Sequence, residues 1–233
     1  EERVEPILEA NSRDLEAGQA QQLSAALMDR LRLDPQRIRG MAEGVSQVIE
    51  LPDPVGLEDS MGPRPNGLQV SRVRIPLGVI CIIYESRPNV TIDAGALCLK
   101  SGNVPLLKGG KEAFHTNMVL VDLMREALNG AGLPPDAVQA VATSDRAVLS
   151  GLIQSEGLVD LVIPRGGEGL IRYVTANATV PVIQHYKGVC HVYVDETADL
   201  QMAEEIAFNA KVQRPGVCNA METLILHRDV APK

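Results

Sequence analysis

Short aliphatic runs alternate with helix-length segments along most of this chain, and that alternation fixes its fold class. The runs are "VICIIY" (79–84), "VPLLK" (104–108), "AVQAVA" (137–142) and "LVDLVI" (158–163), each closed by glycine, proline or polar residues. Runs this short suit strands buried in a parallel sheet, and aliphatic rather than aromatic side chains fill such strands. Between them lie "TIDAGALCLKSGN", "KEAFHTNMVLVDLMREALNGAG" and "RAVLSGLIQS", which read as helices, the first two stopped by glycine. Strands alternating with helices predict an α/β domain whose mostly parallel sheet is covered on both faces. "VPVIQ" (180–184) and "GVCHVYVD" (188–195) read as two more strands, and "LQMAEEIAFNAKV" (200–212) as a helix.

Upstream of this repeat, residues 1–50 follow a helical period in "VEPILEANSRDLEAG" and "LSAALMDRLRL". Asp34-Pro35 supplies an N-cap followed by proline at the first helical position, and "PQRIRGMAEGVSQVIEL" continues from it. "PDPVGLEDSMGPRPNG" (52–67) is rich in Pro, Gly and Asp and predicts a loop, whereas "LQVSRVRIPLG" (68–78) alternates like a half-exposed strand.

Composition removes several function classes. A net charge of −8 with no Trp and only 3% aromatic residues does not make a nucleic-acid surface, which needs basic side chains and stacking rings. No apolar run reaches the roughly 18 residues of a membrane span. Cys81, Cys98, Cys190 and Cys218 are scattered without a CxxC pair, so no metal site is expected, and without a signal peptide they point to a cytoplasmic setting. Both ends read as cut from a longer chain, since the first residues resemble a helix interior and "APK" stops abruptly.

Four stretches carry candidate chemistry. Cys218 follows Pro215-Gly216 rather than sitting in an apolar run, with Arg214 close by; a thiolate there is a candidate nucleophile. Cys81 and Cys98 lie in apolar runs and read as inert core. Cys190 and His191 are neighbours on a strand, point to opposite faces and make no dyad. "PRGGEG" (164–169) stands between a strand and a helix, where Gly166 and Gly167 allow a phosphate to approach helix N–H groups beside Arg165; an ordinary turn reads the same way. In "LLKGGKEA" (106–113), Lys108 ends a strand and Lys111 opens a helix, an unfavourable place for a cation unless an anion compensates; a solvated loop is the alternative. In "YESRPNVT" (84–91), Arg87 is a fixed cation and Asn89 an oxyanion donor, or else Asn89 or Thr91 simply caps the following helix.

In this order, "PLGVICIIYESRPNVTIDAGALCLKSGN", "LLKGGKEA", "LVDLVIPRGG", "GVCHVYVDE" and "QRPGVCNAMETLI" resemble the aldehyde dehydrogenase superfamily, and within it the branch that reduces an acyl phosphate in proline biosynthesis. The likeness runs from "ILEANSRDLEA" to "HRDV". It implies a Rossmann-like parallel sheet of the aldehyde dehydrogenase fold, with only the beginning of the catalytic domain present. Residues 1–212 would form the NADP-binding domain, the 52–77 loop and strand an oligomerisation arm, and 213–233 the start of the catalytic domain.

The resemblance also implies roles. Cys218 would be the nucleophile, with Asn89 and the Cys218 backbone N–H holding the oxyanion. Lys108 and Lys111 would reach the adenosine ribose and its phosphate, and Pro164, Arg165, Gly166 and Gly167 would face the cofactor's phosphates. NADPH would be the cofactor, Lys111 matching its 2′-phosphate. Arg87 and Arg214 are candidates for the anionic substrate, gamma-glutamyl phosphate. A homo-oligomer and association with glutamate kinase are the expected partnerships. Hydrolytic members use a glutamate to activate water; Gln184 aligns with it here and cannot act as a base. Two other readings compete: a general NAD(P)-dependent aldehyde dehydrogenase, and a non-catalytic nucleotide-binding or assembly fragment. The 233 residues alone are expected to be inactive.

Overall fold

The computed structural model describes residues 3–185, 188–215 and 217–232, and its contacts divide the chain into two compact units, 1–184 and 185–233. Gly216 of the turn before Cys218, Tyr186 and Lys187 beyond Gln184, and Glu1, Glu2 and Lys233 at the ends lie outside the described residues.

The first unit runs α1 (Val4–Ala20), α2 (Ala25–Leu31), α3 (Pro35–Glu50), β1 (Glu58–Pro63), β2 (Gln69–Val73), β3 (Val79–Tyr84), α4 (Asn89–Lys100), β4 (Val104–Lys108), α5 (Phe114–Gly130), β5 (Gln139–Ala140), α6 (Val148–Ile153), β6 (Leu161–Arg165) and α7 (Glu168–Asn177). Four strands form a parallel sheet in the order β5-β4-β3-β6. The apolar run of β3 makes it a central strand. Ile80, Ile82 and Tyr84 pack with Cys98 of α4 and Val121 and Leu128 of α5, while Cys81 and Ile83 pack with Ile153 of α6 and Val174 of α7. Successive residues thus serve opposite faces, as the two-residue period requires. Each such aliphatic side chain contributes about 1.5–3 kcal/mol on full burial.

Local chemistry sets the element ends. Asp34 accepts from the Arg37 N–H at 2.8 Å and caps α3 as expected. At the end of α4, Gly102 takes φ +71°, and Asn103 N–H returns to the Cys98 carbonyl at 2.8 Å, closing a Schellman turn. The start of α5 is capped from a distance. The buried Asp14 carboxylate of α1 accepts from His115 N–H (3.1 Å), Thr116 N–H (2.8 Å) and the Thr116 hydroxyl (2.6 Å). Asn11, one turn earlier, bridges the Leu31 carbonyl and the Leu33 N–H. Polar anchors therefore fix the helical layer whose apolar side joins Ile7, Leu33, Ile38 and Met41 to Leu120.

Three expectations change. Residues 52–67 are not all loop: β1 pairs antiparallel with β2. Its residues are almost all exposed, so no apolar alternation marks it; backbone hydrogen bonds and the turn at Gly67 (φ +84°) create the hairpin. "AVQAVA" keeps only two residues as strand, at the sheet edge. "VPVIQ" makes a single bridge, Val162 to Val182, rather than a strand.

In the second unit, β7 (Cys190–Val194) and β8 (Met221–Leu226) are parallel and are joined through α8 (Leu200–Val212). Asp199 caps α8 by accepting from Met202 N–H at 3.0 Å. Among the described residues no helix is long and apolar enough to cross a membrane.

Candidate active site

Strands β4, β3 and β6 lie side by side and point the same way, so the turns after them meet at one edge of the first unit. Register places Lys108 opposite Ile83 and Arg165 opposite Tyr84. The carboxyl edge of a parallel sheet is where ligands of such folds bind. Arg87, Asn89, Lys108, Lys111, Arg165, Gly166 and Gly167 all belong to this edge; Pro164 sits one step back, buried within β6.

Lys108 is buried, and its Nζ donates to the Gly109 carbonyl at 3.2 Å. Burial lowers its pKa, Asp145 and Glu112 oppose that shift, and Arg146 adds to it. It is a cation held at a cost, and an arriving anion would relieve it. Gly109 and Gly110 then let the chain pass close to its neighbours. A Cβ on Gly109 would stand 2.1 Å from the buried Asn117 Nδ2, and one on Gly110 would stand 3.3 Å from the Glu85 Cα. Lys111 opens a short 3₁₀ turn ahead of α5.

Beneath this edge runs a buried hydroxyl chain. Tyr84 OH and Thr91 Oγ1 are 2.7 Å apart, and Thr91 donates to Asn117 Oδ1 at 3.0 Å. Burial pushes the Tyr84 phenol up to about 12, against the Thr91 hydrogen bond. Thr91 is thus spent inside the core and does not cap α4. Asn89 is not a cap either: it is the first residue of α4, and its Nδ2 donates to Asp93 Oδ2 at 2.9 Å. Burial holds the Asp93 carboxyl above its usual range, and the Asn89 amide pulls it back. A side-chain amide has two N–H groups, so the one given to Asp93 orients the other. Arg87 is exposed two residues before Asn89.

Glu85, inside the quoted "YESRPNVT" stretch, was not among the sequence candidates. Its Oε2 accepts from Gly167 N–H at 2.8 Å, and its Cδ would lie 2.7 Å from a Cβ on Gly166. The available signal was positional: like Lys108, it is an ionisable side chain at the end of a buried parallel strand. Gln184 accepts from the Thr175 hydroxyl at 2.7 Å.

In the second unit, Cys218 is exposed and stands between α8 and β8. Successive turns, Val217 N–H to the Arg214 carbonyl and Ala220 N–H to the Val217 carbonyl, present it. Its own carbonyl accepts from the Cys190 thiol at 3.3 Å. Arg214 is exposed and begins the same turn. The other thiols differ: Cys81 and Cys98 are buried, and burial pushes them up to about 12 and about 11, so neither supplies thiolate near neutrality.

Comparison with known proteins agrees with this architecture. A model of the aldehyde dehydrogenase family matches residues 5–233. The gamma-glutamyl phosphate reductase of Solidesulfovibrio magneticus is 57% identical over 232 residues, covering 100% of this chain and 55% of the relative. The crystal structure of the gamma-glutamyl phosphate reductase of Thermotoga maritima superposes with a TM-score of 0.89 at 46% identity, over 100% of this chain and 56% of that one. The Saccharomyces cerevisiae protein of the same name gives a TM-score of 0.67 at 36% identity, over 97% and 56%. The chain spans about half the length of the curated relatives it matches.

Proposed function

Since the chain belongs to the aldehyde dehydrogenase family, we propose that its protein reduces L-glutamyl 5-phosphate to L-glutamate 5-semialdehyde and phosphate with NADPH, in proline biosynthesis. The observation that carries this reading is 57% identity, across the whole chain, to a relative named for that reaction. The exposed Cys218 thiol supports it chemically.

In the proposed reaction the Cys218 thiolate attacks the acyl carbon. The carbon–oxygen bond to phosphate breaks, inorganic phosphate leaves, and a thioester remains. Asn89 and the Cys218 N–H stabilise the negative oxygen at each tetrahedral stage. When bound, NADPH would supply a hydride to the thioester carbonyl, leaving a thiohemiacetal alkoxide held by the same two donors. Carbon–sulfur cleavage then releases the aldehyde and restores the thiolate. Gln184 cannot activate water, which protects the thioester from hydrolysis and favours this reading over a general aldehyde oxidiser.

The first unit's edge fits the cofactor: Gly166 and Gly167 bring backbone N–H groups close to its phosphates beside Arg165 and Pro164, while Lys108 and Lys111 answer the ribose and its 2′-phosphate. Arg87 and Arg214 are assigned to the anionic substrate. Residues 1–212 serve as the NADP-binding domain and 213–233 open the catalytic domain. The 52–77 segment forms the oligomerisation arm of a homo-oligomer, supported by exposed Val55, Leu57, Met61, Leu68, Val73, Ile75 and Leu77. Because acyl phosphates hydrolyse readily, we assign association with the glutamate kinase that makes the substrate.

The test is the reverse reaction of the full-length protein with semialdehyde, NADP and phosphate. Cofactor reduction that requires phosphate is expected; a rate indifferent to phosphate would reject the reading.

A further inference from the structure

We infer that Glu85 is an internal anion competing with the cofactor's phosphates for the amino end of α7, and so sets cofactor affinity. The inference rests on the cofactor edge proposed above. Gly167 N–H stands at the start of α7, whose first turn favours negative charge. In the structure Glu85 Oε2 takes that N–H at 2.8 Å.

The surrounding geometry makes room for this. A Cβ on Gly166 would come 2.7 Å from Glu85 Cδ and 2.8 Å from Oε2, so the turn accommodates the carboxylate because residue 166 has no side chain. On its other side, a Cβ on Gly110 would crowd the Glu85 Cα and the Ser86 N, both at 3.3 Å. Glu85 N–H reaches the Arg165 carbonyl at 3.4 Å, prolonging the β3–β6 pairing by one residue. The 166–167 turn is therefore shaped around the Glu85 carboxylate, while a Cβ on Gly110 would meet the Glu85 backbone and, more closely, the Glu112 carboxylate at 2.5 Å. The Glu85 backbone is fixed by the sheet and its side chain is exposed, so rotation about its own torsions would carry the carboxylate off Gly167 without moving the strand.

A carboxylate and a phosphate oxygen cannot occupy the same N–H. A phosphate that binds there displaces Glu85 into water, and the stabilisation Glu85 had at the helix end is subtracted from cofactor binding. Cofactor then binds less tightly than the bare turn would allow, which favours its release after hydride transfer.

Three forms of the full-length protein test this: wild type, Glu85→Gln and Glu85→Ala. The readouts are equilibrium titration with NADPH and competition by inorganic pyrophosphate. Gln keeps the acceptor oxygen and loses the charge; Ala loses both. Both variants are expected to bind NADPH and pyrophosphate tighter than wild type, by roughly two- to five-fold for a charge at a helix terminus. A purely structural role would give weaker binding in Glu85→Ala and wild-type binding in Glu85→Gln, and that pattern overturns the inference. Unchanged binding in both variants overturns it too, while leaving the cofactor edge standing. No NADPH binding in any of the three would reject the cofactor edge and this inference together.

Discussion

The two units both contain parallel strands joined through helices, yet they differ in how they cover their apolar side chains. In the first unit Leu107, Leu120, Val121, Ile153, Val162 and Val174 are essentially sealed. In the second, α8 buries none of its residues, and Met202, Ile206 and Phe208 are 58%, 51% and 67% exposed. The edge that carries Lys108 and the 166–167 turn is held by a finished core. Among the described residues, the turn that carries Cys218 is held by its own backbone hydrogen bonds, by buried Ala220, by the Cys190 thiol on its carbonyl and by the β7–β8 pair. In this chain, which spans about half the length of the curated relatives it matches, the apolar side chains of α8 are uncovered whereas those of the first unit are closed in.

The largest expected effect separates the two. Cys218→Ser in the full-length protein should lower phosphate-dependent turnover on the order of 10⁴-fold or more, with NADPH titration unaltered. Loss of cofactor binding in this variant would mean that the two parts are not separable. Next comes the first unit's distant cap. Asp14→Ala removes three hydrogen bonds from a buried carboxylate and should cost about 2–4 kcal/mol in urea unfolding; a loss below half a kcal/mol would show that α5 starts equally well without it.

Lys108→Met should weaken NADPH binding about ten-fold, or about 1.4 kcal/mol, while leaving thermal stability equal or higher, because an uncomfortable buried charge is gone. A drop in melting temperature with unchanged affinity would make Lys108 structural. A graded effect is expected with pH. The Cys81 and Cys98 thiols are raised in the folded state to about 12 and about 11 from 9.0, so their contribution to stability is complete below pH 9 and is lost as pH rises through the folded values. Iodoacetamide should accordingly label Cys218 first and the two core thiols only upon unfolding. The smallest effect belongs to the second unit's surface: Phe208→Ser should change the stability of the 233-residue chain by less than about 0.5 kcal/mol.

Much of the first unit could be read from residue order, because an uninterrupted run such as "VICIIY" has few places to go other than a sheet interior. The strand ends, and hence the placement of Lys108 and of the 166–167 turn, follow from where those runs stop. β1 was hidden because its pairing uses backbone groups while its side chains face water. "VPVIQ" misled because its pairing with β6 stops at the Val162–Val182 bridge, where Pro181 has no N–H to continue the ladder. Asn89 and Thr91 looked like caps, since capping residues are recognised locally. Asn89 instead bonds Asp93 one turn along the same helix, while the partners of Thr91, Tyr84 and Asn117, follow from packing of β3, α4 and α5. Glu85 escaped for the same reason: its partner, Gly167, is 82 residues away.

The cap that α1 provides for α5 has a consequence for how the chain emerges from the ribosome. Asp14 and the two amides that donate to it are separated by 101 and 102 residues. At about 5–20 residues per second, some 5–20 s of translation pass between synthesis of the carboxylate and of the amides it will hold. During that interval α1 can pack only on α2 and the start of α3, so a chaperone that engages nascent chains would meet a helical hairpin whose α5-facing side is still open.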